Sequence, residues 1–233
     1  MYELIEEASQ VLREPAPNFD FENPIMDPKE LSEKLSETMD KYGGLGLSAN
    51  QVGIPAKVFV MKTADKGNVA FFNPEITQAS QETELMTEGC LSFPDLFLNI
   101  KRSKAIGFKY QDENGEDQEL VLDGIGARCV QHELDHLNGI IFLQRASRLK
   151  IERALKARPK NKQKRLEYET RRAIAEKLQE IQAAKNAEGN NGDGSSEVDG
   201  LPQEQPDGVG DMGTTTEVRA DSQSDDKKSD QKT

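Results

Sequence analysis

The sequence predicts an α+β fold: mainly antiparallel sheets packed around a central helix that carries a His-Glu-x-x-His motif, followed by a helical extension and a disordered tail. Three observations lead there. At residues 131–137 the run Gln-His-Glu-Leu-Asp-His-Leu sets two imidazoles four residues apart, and helical periodicity brings such positions onto one face, where both can reach one metal ion. Upstream of it, short runs with alternating apolar residues are separated by turn dipeptides, the pattern of antiparallel strands. Past residue 149 the composition changes, first to Lys, Arg, Glu, Gln, Ala and Leu, then to Gly, Ser, Asp, Gln and Thr with hardly an apolar group.

Residues 8–26 mix Pro15, Pro17 and Pro24 with scattered apolar groups and read as an extended arm. Asp27 offers an N-cap and Pro28 a first helical position. Leu31, Leu35 and Met39 then repeat at i, i+4 and i+8 until Gly43 and Gly44, so an amphipathic helix lays one stripe on a core. Residues 44–51, Gly-Leu-Gly-Leu-Ser-Ala-Asn-Gln, form a loop of small residues that lets backbone approach something closely. A tight connection from helix to strand is the plainer reading of that loop, and a phosphate loop is excluded by its missing lysine and hydroxyl.

Residues 57–61 and 69–76 read as strands around a turn at 64–68. Residues 86–94 are too short for a helix and are closed by Pro94. Ile106, Phe108 and Tyr110, the Asn114-Gly115 turn, and the apolar Leu120, Val121 and Leu122 describe a hairpin. Gly124 and Gly126 then precede the motif helix. In residues 147–185 Pro159 interrupts a helix-forming composition, which predicts a helix on either side of a break. Residues 186–233 bury too little to offset their ordering entropy and are predicted to be disordered. The chain thus divides into a folded domain at 1–149, a basic helical extension at 150–185 and an acidic tail at 186–233.

The net charge of -12 is a sum of unlike parts. Residues 1–149 hold 14 basic and 25 acidic groups, residues 150–185 hold 12 and 5, and residues 186–233 hold 4 and 12. The total acidity therefore says nothing about a substrate. The first residues are acidic and lack the basic and apolar blocks of a secretory signal, and no apolar run is long enough to span a bilayer. A cytoplasmic protein, with neither membrane nor DNA as a partner, is the expectation. In that setting Cys90 and Cys129 read as ligands, catalytic groups or buried thiols rather than as a disulfide.

A catalytic metal site takes about three protein ligands and keeps one position open. Two histidines one turn apart can also merely decorate a helix, so a third donor is needed. The chain's 2 histidines are both in the motif, which leaves a carboxylate or a cysteine. A ligand set that included Cys129 would be strung along one helix over about 10 Å of rise. Cys90 comes from a separate segment and approaches from another direction, which favours it. Two imidazoles and a thiolate suit zinc, iron or cobalt rather than magnesium or calcium, and such an ion makes water a nucleophile near neutral pH. Glu133, next to a ligand, is the candidate general base. An oxyanion formed at a carbonyl needs preset donors, and the Gln51 amide and the Leu91 backbone N–H are the candidates.

Three segments, residues 44–51 above, Glu88-Gly89-Cys90-Leu91-Ser92, and Gln131-His132-Glu133-Leu134-Asp135-His136, together resemble the signature motifs of the peptide deformylase family in order and separation. The resemblance covers about residues 8–149. It implies a metallohydrolase that removes the formyl group from the initiator formyl-methionine of nascent polypeptides. It implies Cys90, His132 and His136 as ligands of one divalent ion, Glu133 as the catalytic glutamate, and Gln51 and the Leu91 amide as donors to the formyl oxygen. Ferrous iron, Fe(2+), is the ion it implies in the cell, with zinc, nickel or cobalt able to substitute. The thiolate would make an iron form oxygen-sensitive. The backbone of Gly46 is implied to pair with a substrate laid along a strand edge, and Met86, Ile125 and Cys129 to line a pocket for the methionine side chain. Ser48 departs from the family pattern, which has alanine there, although a hydroxyl still fits a tight loop.

Two rival functions meet the motif less well. A zinc endopeptidase would take its third ligand from downstream, where no further histidine exists. A non-catalytic module would have lost Glu133, Gln51 or a ligand, and all are present. The basic segment has two readings that charge alone leaves open. It docks on ribosomal RNA through backbone phosphates, as the resemblance implies with the ribosome as partner, or it is a solvated helix whose charges pair at i and i+4.

Overall fold

The computed structural model describes residues 1–189; of the tail expected at 186–233, residues 186–189 instead continue the last helix, and the rest lies outside the described residues. The elements are α1 (Pro28–Lys41), β1 (Gly46–Ser48), β2 (Val58–Thr63), β3 (Gly67–Ala79), β4 (Thr83–Cys90), β5 (Phe93–Ser103), β6 (Ala105–Gln111), β7 (Asp117–Asp123), α2 (Gly124–Leu137) and α3 (Arg148–Gly189). The strands make a five-stranded sheet in the order β1-β2-β3-β6-β7 and a separate β4-β5 hairpin, all antiparallel. The predicted α+β class is the observed one.

Local chemistry accounts for these elements. Asp27 caps α1 by accepting from the Lys29 and Glu30 amides, both at 3.0 Å, and Pro28 takes the position where a missing N–H is harmless. The stripe Leu31, Leu35 and Met39 is fully buried against Val58, Val60 and Phe72. Strand β2 reads Val-Phe-Val-Met without polar alternation because both of its faces are covered. Val58 and Val60 face the α1 side, whereas Phe59 and Met61 join Phe71, Ile106 and Phe108 beneath α2. Ala127, Val130, Leu134 and Leu137 seat α2 on that second face. The motif helix also packs on β5, so it touches both sheets.

Two stretches differ from expectation. Residues 86–94 belong to a long hairpin, β4–β5. Strand β4 carries little apolar alternation because most of it is exposed. In β5, by contrast, Leu96, Leu98 and Ile100 alternate and are buried beside Leu12 and Phe142, a period-two signal that Pro94 and the charged Lys101 and Arg102 obscure. Second, α3 runs unbroken through Pro159. An interior proline costs about 3 kcal/mol, and tertiary contacts flank it: Arg158 donates to the Pro94 carbonyl at 3.0 Å and Asn161 to the Asp95 carbonyl at 3.1 Å. Among the described residues no helix is long and apolar enough to cross a membrane.

Candidate metal centre

Burial of its apolar face turns α2 so that His132, Glu133 and His136 are all enclosed. The two imidazoles lie one turn apart with ring centroids separated by 5.0 Å. The β4–β5 hairpin delivers Cys90 to them, with its Sγ 3.1 Å from His136 Nε2. The ligand atoms of Cys90, His132 and His136 all lie within 4.8 Å of one another. His132 has its Nδ1 committed to Glu88 Oε2 at 3.1 Å, which leaves Nε2 as the nitrogen it could offer to an ion. Both cysteines are free thiols.

The residues present fit a divalent ion. They offer two nitrogens from α2 and a thiolate from β4, a borderline-soft set suited to iron, zinc, nickel or cobalt. Burial pushes the His136 imidazole well below its ordinary range, keeping it neutral as a ligand must be. Burial would lower His132 too, but contacts with Cys90 and Glu88 push it up to about 10. Cys129 lies apart from this trio; burial, with Glu133 beside it, pushes its thiol well above the usual range.

A buried ionic frame stands behind the imidazoles, and the sequence reading did not foresee it. Arg102 bridges Glu88, at 2.7 and 2.9 Å, and Asp135, at 2.8 Å. Arg128 adds a second guanidinium on Glu88 at 2.5 Å, and Arg145 pairs with Asp135. Burial alone would raise Glu88, yet His132 and Arg102 hold its carboxyl down to about 2. It remains the anion that orients His132 across the neutral range. Replacing Glu88 by glutamine is expected to weaken metal binding by about 10- to 100-fold, measured by competition with a chelator.

The small-residue loop is folded onto α2 rather than merely linking elements. Residues 46–48 pair with β2 as the edge strand β1, and a short 3-10 turn, Ala49–Val52, follows. Asn50 Nδ2 donates to the His136 carbonyl at 2.6 Å. Ser48 Oγ donates to Glu133 Oε2 at 2.6 Å. Burial raises the Glu133 pKa, against the lowering influence of His132 and that Ser48 hydrogen bond. Gln51 Oε1 accepts from the Ser48 amide at 2.9 Å, so Nε2 is turned to Ser92 Oγ at 2.9 Å and to Cys90 Sγ at 3.7 Å. A Cβ on Gly46 would come within 2.5 Å of Glu133 Oε1 and 2.7 Å of Cys129 Sγ, so the position admits only glycine without displacement.

One cavity of about 730 Å³ collects these groups. Gly46, Gln51, Cys90, Leu91, His132 and Glu133 line it, and so do Met86, Ile125 and Cys129. His136 is the one candidate residue not on its wall. Ser48, Glu88, Ser92, Arg102 and Asp135 are the contributors that sequence reasoning missed. Ser48 was noticed only as a departure in the small-residue loop, and Glu88 and Asp135 stand inside the quoted motifs.

Comparison with known proteins supplies a family. The family model described as polypeptide deformylase matches residues 1–152. A peptide deformylase of Thermotoga petrophila is 51% identical over 115 residues, 49% of this chain and 70% of that protein. Among solved structures, peptide deformylase from Thermotoga maritima matches at 45% identity and TM-score 0.60, over 63% of this chain and 98% of that one. A peptide deformylase from Synechococcus elongatus in complex with actinonin matches at 35% identity and TM-score 0.63, over 68% and 86% of the two chains.

Proposed function

The chain belongs to the polypeptide deformylase family, and we propose that it hydrolyses the N-formyl group of formyl-methionyl nascent polypeptides, using one divalent ion held by Cys90, His132 and His136. The observation that carries the reading is the clustering of those three donors, two of which, Cys90 and His132, line one cavity together with Glu133 and Gln51. Ferrous iron is our assignment for the cell, and zinc, nickel or cobalt suit the same donors. Such an ion, when bound, supplies Lewis acidity towards a water and towards a carbonyl oxygen.

The chain's own residues supply the rest. The peptide adds along the free edge of β1, pairing with the Gly46 backbone, and its methionine side chain occupies the apolar part of the cavity at Met86, Ile125 and Cys129. Gln51, its amide orientation fixed by the Ser48 N–H, donates with the Leu91 N–H to the formyl oxygen as negative charge grows there. Glu133 takes a proton from the attacking water and returns it to the leaving amine; a carboxyl whose proton affinity is raised by burial suits both transfers. Ser48 holds Oε2 in place, and the missing side chain of Gly46 leaves room for Oε1. The carbon–nitrogen bond breaks to give formate and a free amino terminus.

Gly46→Ala is accordingly expected to lower kcat by about a hundredfold, since displacing a reacting group by about 1 Å has that effect. Steady-state kinetics on protein of matched metal content measures it. The reading as a whole is tested by following new free amine on formyl-Met-Ala-Ser; no amine from metal-loaded protein would sink it.

The cytoplasm, where nascent chains emerge, is the compartment this reading assigns. The basic segment 150–185, within α3, is our candidate for contact with ribosomal RNA. Part of its charge is already paired along the helix, as in Arg165 with Glu169 and Arg172 with Glu176. Salt-dependent cosedimentation with ribosomes, compared between the full chain and one with the α3 arginines neutralised, separates docking from plain solvation.

A further inference from the structure

We propose that α3 forms the outer wall of the substrate cleft, where Arg165 and Glu169 contact the peptide downstream of its formyl-methionine; the proposal rests on the deformylase reading above. The cavity that holds Gln51, Cys90 and Glu133 is also lined by Arg165 and Glu169. Gln51 and Glu133 are buried, whereas the Arg165 and Glu169 side chains are 43% and 53% exposed. The cavity therefore runs from the ligand cluster outward to α3. A peptide whose formyl end lies at Cys90 and whose chain leaves by the outer end passes these two side chains.

The helix is fixed at that place by a specific clamp. Arg165 grips the Asp95 carboxylate through Nε at 2.7 Å and Nη2 at 3.1 Å. Asn161 and Arg158 bind the carbonyls of Asp95 and Pro94, and Arg158 also pairs with Glu7 at 2.6 Å. Asp95 has a φ of 65°, a conformation that non-glycine residues adopt at a cost. It follows Cys90 and Leu91 by only a few residues, so α3 braces the start of β5, just beyond the ligand segment.

Arg165 is also equipped for a ligand. Of the five N–H donors on a guanidinium, two are engaged by Asp95 and one by Glu169 Oε1 at 2.9 Å. Two donors remain on its terminal nitrogens, and an extended peptide presents carbonyl acceptors. Glu169, half exposed on the same wall, offers acceptors to peptide N–H groups. Together they form a distal subsite for main chain, one that a formyl-dipeptide is too short to reach.

The test uses the metal-loaded full chain and its Arg165→Ala and Glu169→Ala variants, with formyl-Met-Ala and a formyl-Met hexapeptide as paired substrates. The kcat/KM ratio of hexapeptide to dipeptide is expected to fall about three- to tenfold in each variant, through KM, as the loss of one or two solvent-facing hydrogen bonds would produce. A ratio in both variants equal to that of the unaltered protein would overturn the subsite, as would equal losses on both substrates, which mean that α3 merely braces the start of β5. Glu169→Ala leaves the Asp95 clamp intact, so the test survives a folding failure of Arg165→Ala. Absence of dipeptide hydrolysis by the unaltered protein would instead overturn the deformylase reading, and the subsite with it.

Discussion

Replacing Glu133 by glutamine is expected to lower kcat on formyl-Met-Ala-Ser by about 10²- to 10⁴-fold, the range that general acid–base catalysis contributes, while the metal content of the protein stays that of the unaltered chain. The two halves of this expectation rest on different observations. The metal is retained because the clustered donors are Cys90, His132 and His136, and Glu133 is not among them. The rate falls because, in the proposed reading, the buried Glu133 carboxyl, raised by its burial and held at Oε2 by Ser48, carries a proton between water and the leaving amine. Glutamine keeps the shape and the partner for Ser48 but has no basic oxygen to offer. Metal analysis and steady-state rates on one preparation decide it, and a Glu133→Gln protein with full metal and undiminished kcat would remove the general-base role.

Replacing Cys90 by alanine is expected to abolish stable metal binding and activity together. It removes one of three donors, and the other two are neutral imidazoles that lack the thiolate's charge. Cys90 Sγ sits 3.1 Å from His136 Nε2, whereas the Cys129 thiol is pushed up by burial and stays outside the cluster. A Cys129→Ala protein should accordingly keep its metal. Equilibrium dialysis on the two variants checks both, and retained metal in Cys90→Ala with loss in Cys129→Ala would exchange their assignments.

Much of this arrangement was legible in the residues, for identifiable reasons. The imidazoles at 132 and 136 are separated by one helical turn, so local periodicity places them on one face without tertiary knowledge. The choice of Cys90 over Cys129 followed from directions of approach, and the structure brings Cys90 to the imidazoles on a hairpin. That hairpin itself was not legible. Its first strand is mostly exposed and lacks alternation, and its second buries Arg102 where a period-two pattern expects an apolar group. The same Arg102 explains the missed frame of Glu88, Asp135, Arg128 and Arg145. Buried ion pairs join residues far apart in the chain, and charge alone reads as surface. Pro159 misled in the other direction. It is a local helix breaker, and long-range contacts from Arg158 and Asn161 to Pro94 and Asp95 at the start of β5 override it. Ser48 was visible as an unusual hydroxyl, but its partner lies 85 residues away in Glu133.

The most direct test of the account is a titration of metal-free protein with ferrous ion under anaerobic conditions, measuring bound metal and formate released from formyl-Met-Ala-Ser on the same samples. The account predicts that formate release rises in proportion to bound ion and levels off at one ion per chain. Full occupancy without formate, or formate release that does not depend on bound ion, would contradict it.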